Sequence, residues 1–250
     1  VAALKTTARR DGDHYVVNGE KIFITSGMRA DHFTVAVRTD LDSKGPNGIS
    51  ALLIDGDTPG LTRSELKKMG WWAGDTAHLR FDNCPVPVSH LIGEEHKGFK
   101  TFMTNFNGER LGMAALAVGY AETCFTEALD WARQRVTFGA PLSERQVIRH
   151  KLMDMLRQID SARCLIYDLA WRVQHKKADA AQLVARTAMA KVQGTQCMQF
   201  CADTAVQILG GMGFMRGTKS ERIYREVKVM MIGGGSEEIM KDLASRQLGI

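Results

Sequence analysis

The sequence predicts an α+β protein, an antiparallel β-barrel or sandwich followed by an antiparallel helical bundle. Three observations predict it. Up to about Gly98, short β-branched and aromatic runs alternate with turn residues. Beyond that point apolar residues recur at three- and four-residue steps to the end of the chain. The composition, 44% hydrophobic and 24% charged over 250 residues, is that of an ordinary folded protein large enough to bury a core. The expected domains are 1–97 and 98–250.

In the first half, Tyr15–Val17 and Glu20–Thr25 flank Asn18-Gly19, a pair that tolerates positive φ and so predicts a hairpin turn between two strands. His32–Arg38 and Gly48–Ile54 predict the next two strands, separated by the polar Asp40–Asn47 loop. Leu61–Leu66 and Ala77–Phe81 follow, then a separate Pro85–Pro87 segment. In the second half, Phe102, Phe106, Glu109, Met113, Leu116 and Tyr120 predict one stripe of a helix that runs to about Arg135. Thr137–Pro141 breaks it. Long helices are expected over 144–175 and 179–209, then shorter ones over 220–227 and 236–247.

Several function classes are excluded. The net charge is only +5, with neither a Lys/Arg tract nor a basic stripe interleaved with aromatics, so nucleic-acid binding is not expected. No apolar run reaches the roughly 20 residues of a membrane span. Cys84, Cys124, Cys164, Cys197 and Cys201 do not form a secreted disulfide framework. Cys197 and Cys201 lie one helical turn apart, but no His or Cys partner stands at zinc-like spacing, so core thiols rather than a metal site are expected. Gly210–Gly213 follows a helix, not the strand of a βαβ unit, which excludes a dinucleotide-binding Rossmann turn.

Five segments, in order, resemble the acyl-CoA dehydrogenase family: Asn18–Gly27, Leu91–Phe99 with its Ile92-Gly93-Glu94, Arg135-Val136-Thr137-Phe138-Gly139, Gln207–Phe214, and Gly233–Met240. The resemblance covers the whole chain and implies the family's middle β-domain and its C-terminal four-helix bundle. The N-terminal helical domain is absent from the match, so the chain is expected to be a fragment, inactive and weakly flavin-binding by itself. Its opening Val1-Ala2-Ala3, without Met, agrees with a cut from a longer chain.

The resemblance implies FAD-dependent α,β-dehydrogenation of an acyl-CoA thioester to the trans-2-enoyl-CoA. Electrons would pass to an electron-transfer flavoprotein, in a homodimer or homotetramer of the bacterial cytoplasm or mitochondrial matrix. Many relatives carry the catalytic Glu at the position matched by Gly234. Here that position has no carboxylate, whereas Asn105–Leu111 resembles the long-chain and isovaleryl-type branch, which places the Glu on the first bundle helix. Glu109 is therefore the candidate base, with Glu237 and Glu238 as rivals. Its place on the apolar stripe predicts a desolvated carboxylate of raised pKa. The Gly234 N–H is implied to hold the developing enolate oxygen.

By the same resemblance, Phe23, Ile24 and Thr25 contact the flavin ring. Arg135, Thr137, Phe138 and Gln146, with Gln207, Ile208, Leu209, Gly210 and Gly211, reach FAD from a neighbouring subunit. Ser236 and Glu238 add further cofactor contacts, and Asn107, Arg110, Gly235 and Arg246 contact substrate. Read without the family, Phe23 is a core aromatic, Gly210-Gly211 a helix C-cap, and Arg110 and Arg246 solvated helix charges. Trp71, Trp72, Asp75 and Thr76 receive a structural explanation and no chemistry. Two further readings stay open: an acyl-CoA oxidase or flavin-dependent monooxygenase of the same fold, and a helical assembly module without flavin.

Overall fold

The computed structural model describes residues 3–175, 177 and 179–250, and the chain forms two compact units that divide between Asn105 and Phe106. The first holds one seven-stranded sheet. Its strands are β1 (Thr7–Asp11), β2 (His14–Thr25), β3 (His32–Arg38), β4 (Ile49–Asp55), β5 (Leu61–Glu65), β6 (Thr76–Pro87) and β7 (Leu91–Ile92). Their spatial order is β5-β6-β2-β1-β3-β4-β7, antiparallel throughout except where Thr7 of β1 meets Arg38 of β3. Only the 3₁₀ turn Val88–His90 separates β6 from β7, yet the two lie towards opposite ends of this order, so the sheet must curl on itself. The curl encloses Tyr15, Val17, Phe33, Val35, Leu52, Ile54, Leu79 and Phe81.

Two expectations for this unit are corrected. Asn18-Gly19 is not a hairpin turn: β2 runs straight through it, and the hairpin lies earlier, where Asp11 pairs with His14 around Gly12 (φ 59°). Gly19 instead marks a shift of register against β6 and adopts φ 130°. A Cβ there would stand 2.7 Å from the Cα of Thr6. The Asn18 carboxamide accepts from the Asn83 main-chain N–H at 2.9 Å, bracing the bulge on the partner strand. The glycine is needed for positive φ, as the sequence predicts, but a bulge uses that freedom as readily as a turn does. Nor is Pro85–Pro87 a separate segment. It completes β6, where Pro85 pairs with Val16 and Pro87 with His14. The prolines are tolerated because β5 pairs β6 only as far as Phe81, leaving one side of β6 unpaired by β5 beyond it.

Helix α1 (Gly98–Gln134) begins in the first unit and continues into the second. The second unit adds a two-residue hairpin of β8 (Val136–Thr137) and β9 (Ala140–Pro141), then α2 (Gln146–His175), α3 (Ala180–Leu209), α4 (Gly211–Phe214), α5 (Lys219–Ile232) and α6 (Glu237–Leu248). Helix α3 is the hub, packed against α2, α5 and α6. On α2, Leu152, Met155, Ile159, Ala162, Ile166 and Leu169 form the buried stripe at alternating three- and four-residue steps. Side-chain caps start two helices: Asp179 accepts from the Gln182 N–H at 2.8 Å, and Thr218 from that of Glu221 at 3.2 Å.

The stripe predicted for α1 is displaced. Beyond Gly98 its buried residues are Arg110, Ala114, Ala117, Val118, Ala121, Cys124, Ala128 and Ala132, whereas Leu116 and Glu109 are exposed. Alanines admit close packing: a Cβ on Gly194 of α3 would stand 2.9 Å from the Ala114 carbonyl oxygen. A core face built from small residues carries little of the hydrophobic contrast on which periodicity depends. No helix of the described residues is long and apolar enough to cross a membrane.

Replacing Gly19 by Ala is expected to destabilise the sheet unit by about 2 kcal/mol, because the new Cβ meets backbone and φ is unsuited to it. Denaturant unfolding followed by a probe in that unit checks this; an unchanged midpoint would mean that the bulge can shift register freely.

Candidate functional site

In the first unit, β2 ends in a second bulge, with one extra residue between the Lys21–Leu79 and Ile24–Ala77 pairs. It turns Phe23 outward at φ 64°, with 74% of its surface exposed, so Phe23 is not a core aromatic. A bulky residue held in the left-handed region is strained and persists only where its surroundings over-determine it. Those surroundings are polar. Asp75 accepts from the Ser26 N–H through its main-chain carbonyl at 3.1 Å and from the Met28 N–H through its carboxylate at 2.7 Å. The same carboxylate pairs with Arg29 at 3.2 Å. The guanidinium of Arg63 on β5 donates to the carbonyls of Gly27, Met28, Ala30 and Gly56. Asp75 thus has the structural role expected of it. Arg63 carries no sequence signal, since three of its four partners stand more than thirty residues away. Ile24 packs on the core while Thr25 is exposed at the strand end. Two residues before Phe23, burial pushes the Lys21 ammonium down to about 8.

In the second unit, the turn Gly233-Gly234-Gly235 joins α5 to α6, with Gly234 at φ 67° and Gly235 at φ 115°. Arg110, only 8% exposed, donates from Nε to the Gly234 carbonyl at 2.9 Å and from a terminal nitrogen to the Asn107 side chain at 3.1 Å. It also lies over the Phe106 ring at 5.9 Å. Burial lowers its pKa while leaving it a cation. A Cβ on Gly234 would stand 2.8 Å from Met113 Sδ, so Met113 occupies the space a side chain there would need. Glu109 is one helical turn before Met113 on the same face of α1. It is exposed, not desolvated as its position in the sequence suggests. The solvated-charge reading therefore fails for Arg110. It describes Arg246, whose side chain is 74% exposed and pairs with Asp242 at 2.8 Å about 15 Å along α6 from the Gly turn.

Around the turn, Ser236 is the N-terminal cap residue of α6, and the Glu238 carboxyl is held below its ordinary value by its own main-chain N–H and the Ser236 hydroxyl. Glu237 accepts from the Gln196 carboxamide at 2.7 Å. From α3, the buried Lys191 donates to the Met231 and Gly235 carbonyls, at 2.7 Å each. The sequence reading missed Lys191 although a signal existed: a lone cation flanked by Ala188, Val192 and Thr195, which are all buried on one face of α3.

A third group of candidates gathers where α1 ends. The β8–β9 hairpin presents Phe138 at φ 49° and 99% exposed, beside the exposed Arg135. Arg145, also missed, holds the hairpin by donating to the Thr137 and Phe138 carbonyls at 2.7 and 3.3 Å, directly before Gln146. At the end of α3, Ile208 and Leu209 are buried core side chains, which leaves only their main chain for a ligand. Gly210 caps α3 at φ 61°, and beside both Gly210 and Gly211 there is open space where a Cβ would be. Cys197 and Cys201 are buried in α3, the Cys201 Sγ 3.9 Å from the Met155 carbonyl.

Comparison with known proteins matches residues 1–84 to the acyl-CoA dehydrogenase middle domain and residues 96–249 to the acyl-CoA dehydrogenase C-terminal domain. A probable acyl-CoA dehydrogenase of Bacillus subtilis is 38% identical over 245 residues, covering 98% of this chain and 63% of the relative. The human mitochondrial short-chain specific acyl-CoA dehydrogenase is 38% identical over 242 residues, covering 96% and 57%. The crystal structure of a probable acyl-CoA dehydrogenase from Mycobacterium abscessus superposes with a TM-score of 0.95 at 45% identity, covering 99% of this chain and 65% of that one. The chain thus spans about 60% of the length of the curated relatives it matches.

Gly234→Ala is expected to destabilise the helical unit by about 1–2 kcal/mol, because an L-residue at that φ is strained and Met113 must move. A thermal or denaturant shift in the helical signal checks it; no shift would mean that the turn relaxes without resistance.

Proposed function

The chain belongs to the acyl-CoA dehydrogenase family, and from that premise we propose that the complete enzyme carries out α,β-dehydrogenation of an acyl-CoA thioester, with Glu109 as the base. The observation that carries the reading is the left-handed Gly234 against Met113. A side chain at that position is strained by the backbone conformation and must displace the flexible Met113 thioether, while Glu109 stands one turn away on the Met113 face of α1.

FAD is the proposed cofactor, and the residues present fit it. Phe23 presents an exposed ring at a strained bulge, and Gly210-Gly211 leaves open space beside a helix end, so that a ligand can approach the main chain closely. Arg135 supplies a cation suited to a pyrophosphate. Phe23 and Thr25 would hold the ring system. Arg135, Phe138, Gln146 and Gly210-Gly211 would hold the nucleotide half from a second copy of the chain. The near-complete exposure of Phe138 and the 82% exposure of Phe214 favour such an assembly, a dimer or tetramer. When bound, FAD supplies the acceptor for the hydrogen that leaves Cβ with its electron pair.

The remaining work falls to the chain. Glu109 takes the Cα proton onto a carboxylate oxygen, and the electron pair of the broken C–H bond moves into the forming double bond. The Gly234 N–H donates to the thioester oxygen as charge builds on it. Because Glu109 is exposed, the desolvation that strengthens a carboxylate as a base comes, in this reading, from the acyl chain that covers it. An electron-transfer flavoprotein is the proposed acceptor of the electrons.

Glu109→Gln in the complete, flavin-loaded enzyme is expected to slow acyl-CoA-dependent flavin bleaching by about 10²–10⁴-fold. Bleaching near the wild-type rate would return the role to Glu237 or Glu238. An acyl-CoA panel scored the same way defines the substrate, and turnover that releases peroxide would make the enzyme an oxidase instead.

A further inference from the structure

The Gly233–Gly235 turn has no side chains of its own, and two cations from other helices hold it. Lys191 Nζ bridges its ends, donating to Met231 in the last turn of α5 and to Gly235 just before α6, at 2.7 Å each. Arg110 Nε holds the Gly234 carbonyl at 2.9 Å, and the Gly233 N–H donates to the Val229 carbonyl at 2.7 Å. The peptide that carries the Gly234 N–H therefore lies between two pinned neighbours. We propose that Lys191 is a positioning residue of the reaction: by tying Met231 to Gly235 it aims the Gly234 N–H at the thioester oxygen. This rests on the role given to Gly234 above.

Lys191 is wholly buried, and burial is the largest influence on it, holding the ammonium at about 8 instead of 10.5. Among the charged groups that face it, Glu237 on α6 favours the ammonium and Arg110 on α1 opposes it. Between about 8 and 10.5 the unfolded chain binds the proton that the folded chain has lost, so this group makes folding more favourable as pH rises. Over the same rise its bonds to the turn lose their charge assistance. The turn should therefore loosen without the fold weakening on this account, which separates positioning from mere stabilisation.

The test combines amide hydrogen exchange of residues 231–236, measured on the protein without substrate, with the pH profile of kcat and KM in the complete flavin-loaded enzyme. In Lys191→Met, exchange in 231–236 should quicken about tenfold relative to the centre of α3. In the same variant kcat should fall about 10²-fold while KM for acyl-CoA stays within about threefold. In the wild type, kcat and protection of 231–236 should both decline as pH passes about 8. Lys191→Arg, which does not titrate in this range, should keep activity and carry the alkaline decline to higher pH. Unchanged exchange in Lys191→Met, or the same decline in Lys191→Arg, overturns the proposal. Should neither variant fold, the wild-type exchange profile decides: protection of 231–236 that holds steady across pH 7–9 relative to α3 overturns it. If no acyl-CoA bleaches the wild-type flavin, the functional reading fails, and exchange still reports whether Lys191 holds the turn.

Discussion

Three consecutive glycines have no means of fixing their own conformation, and they lose more freedom on folding than any other residues. Everything proposed for the helical unit depends on how Gly233-Gly234-Gly235 is nevertheless held in one shape. The carbonyls of Met231, Gly234 and Gly235 are bound by two cations, one from α1 and one from α3, while Met113 and Met240 fill the space beside the glycines. Burying those cations is unfavourable unless each finds acceptors. The carbonyls at the ends of helices are unsatisfied acceptors in the same place. Each deficit answers the other, and the result is a backbone donor held at a defined place without a side chain to obstruct it.

The sheet unit solves a similar problem by similar means. The bulge that turns Phe23 outward is strained at Phe23 and Ser26, and the loop after it is held by Asp75 and by the four-carbonyl grip of Arg63. At the end of α1, Arg145 does the same for the hairpin that exposes Phe138. In each case the exposed feature is a peptide or a ring, and the residue that fixes it is an Arg or Lys behind it. A multidentate cation suits this because carbonyl groups gathered at a turn offer several acceptors to one side chain.

How far these arrangements are legible in the sequence varies with the range of the interaction. The change from strand to helix near Gly98, the ends of α2 and α3, and the bulge or turn at Asn18-Gly19 follow from local chemistry, but local chemistry did not decide between bulge and turn. The apolar stripe of α1 was misplaced because its core face is mostly alanine. Glu109 was expected to be desolvated from neighbours that do not share its burial. Lys191 was detectable as a cation on a buried stripe, whereas Arg63 and Arg145 resemble any surface arginine until their carbonyl partners are in place.

The sequence by itself determined the two kinds of secondary structure, their order, the family motifs and the absence of a carboxylate at position 234, since these depend on residue identity and short-range periodicity. Only the tertiary structure decided which face of α1 is buried, that position 234 adopts a left-handed conformation against Met113, and that Lys191 and Arg110 converge on one turn from separate helices. Those facts are set by packing between segments more than a hundred residues apart in the case of Arg110, and no local pattern encodes such a distance.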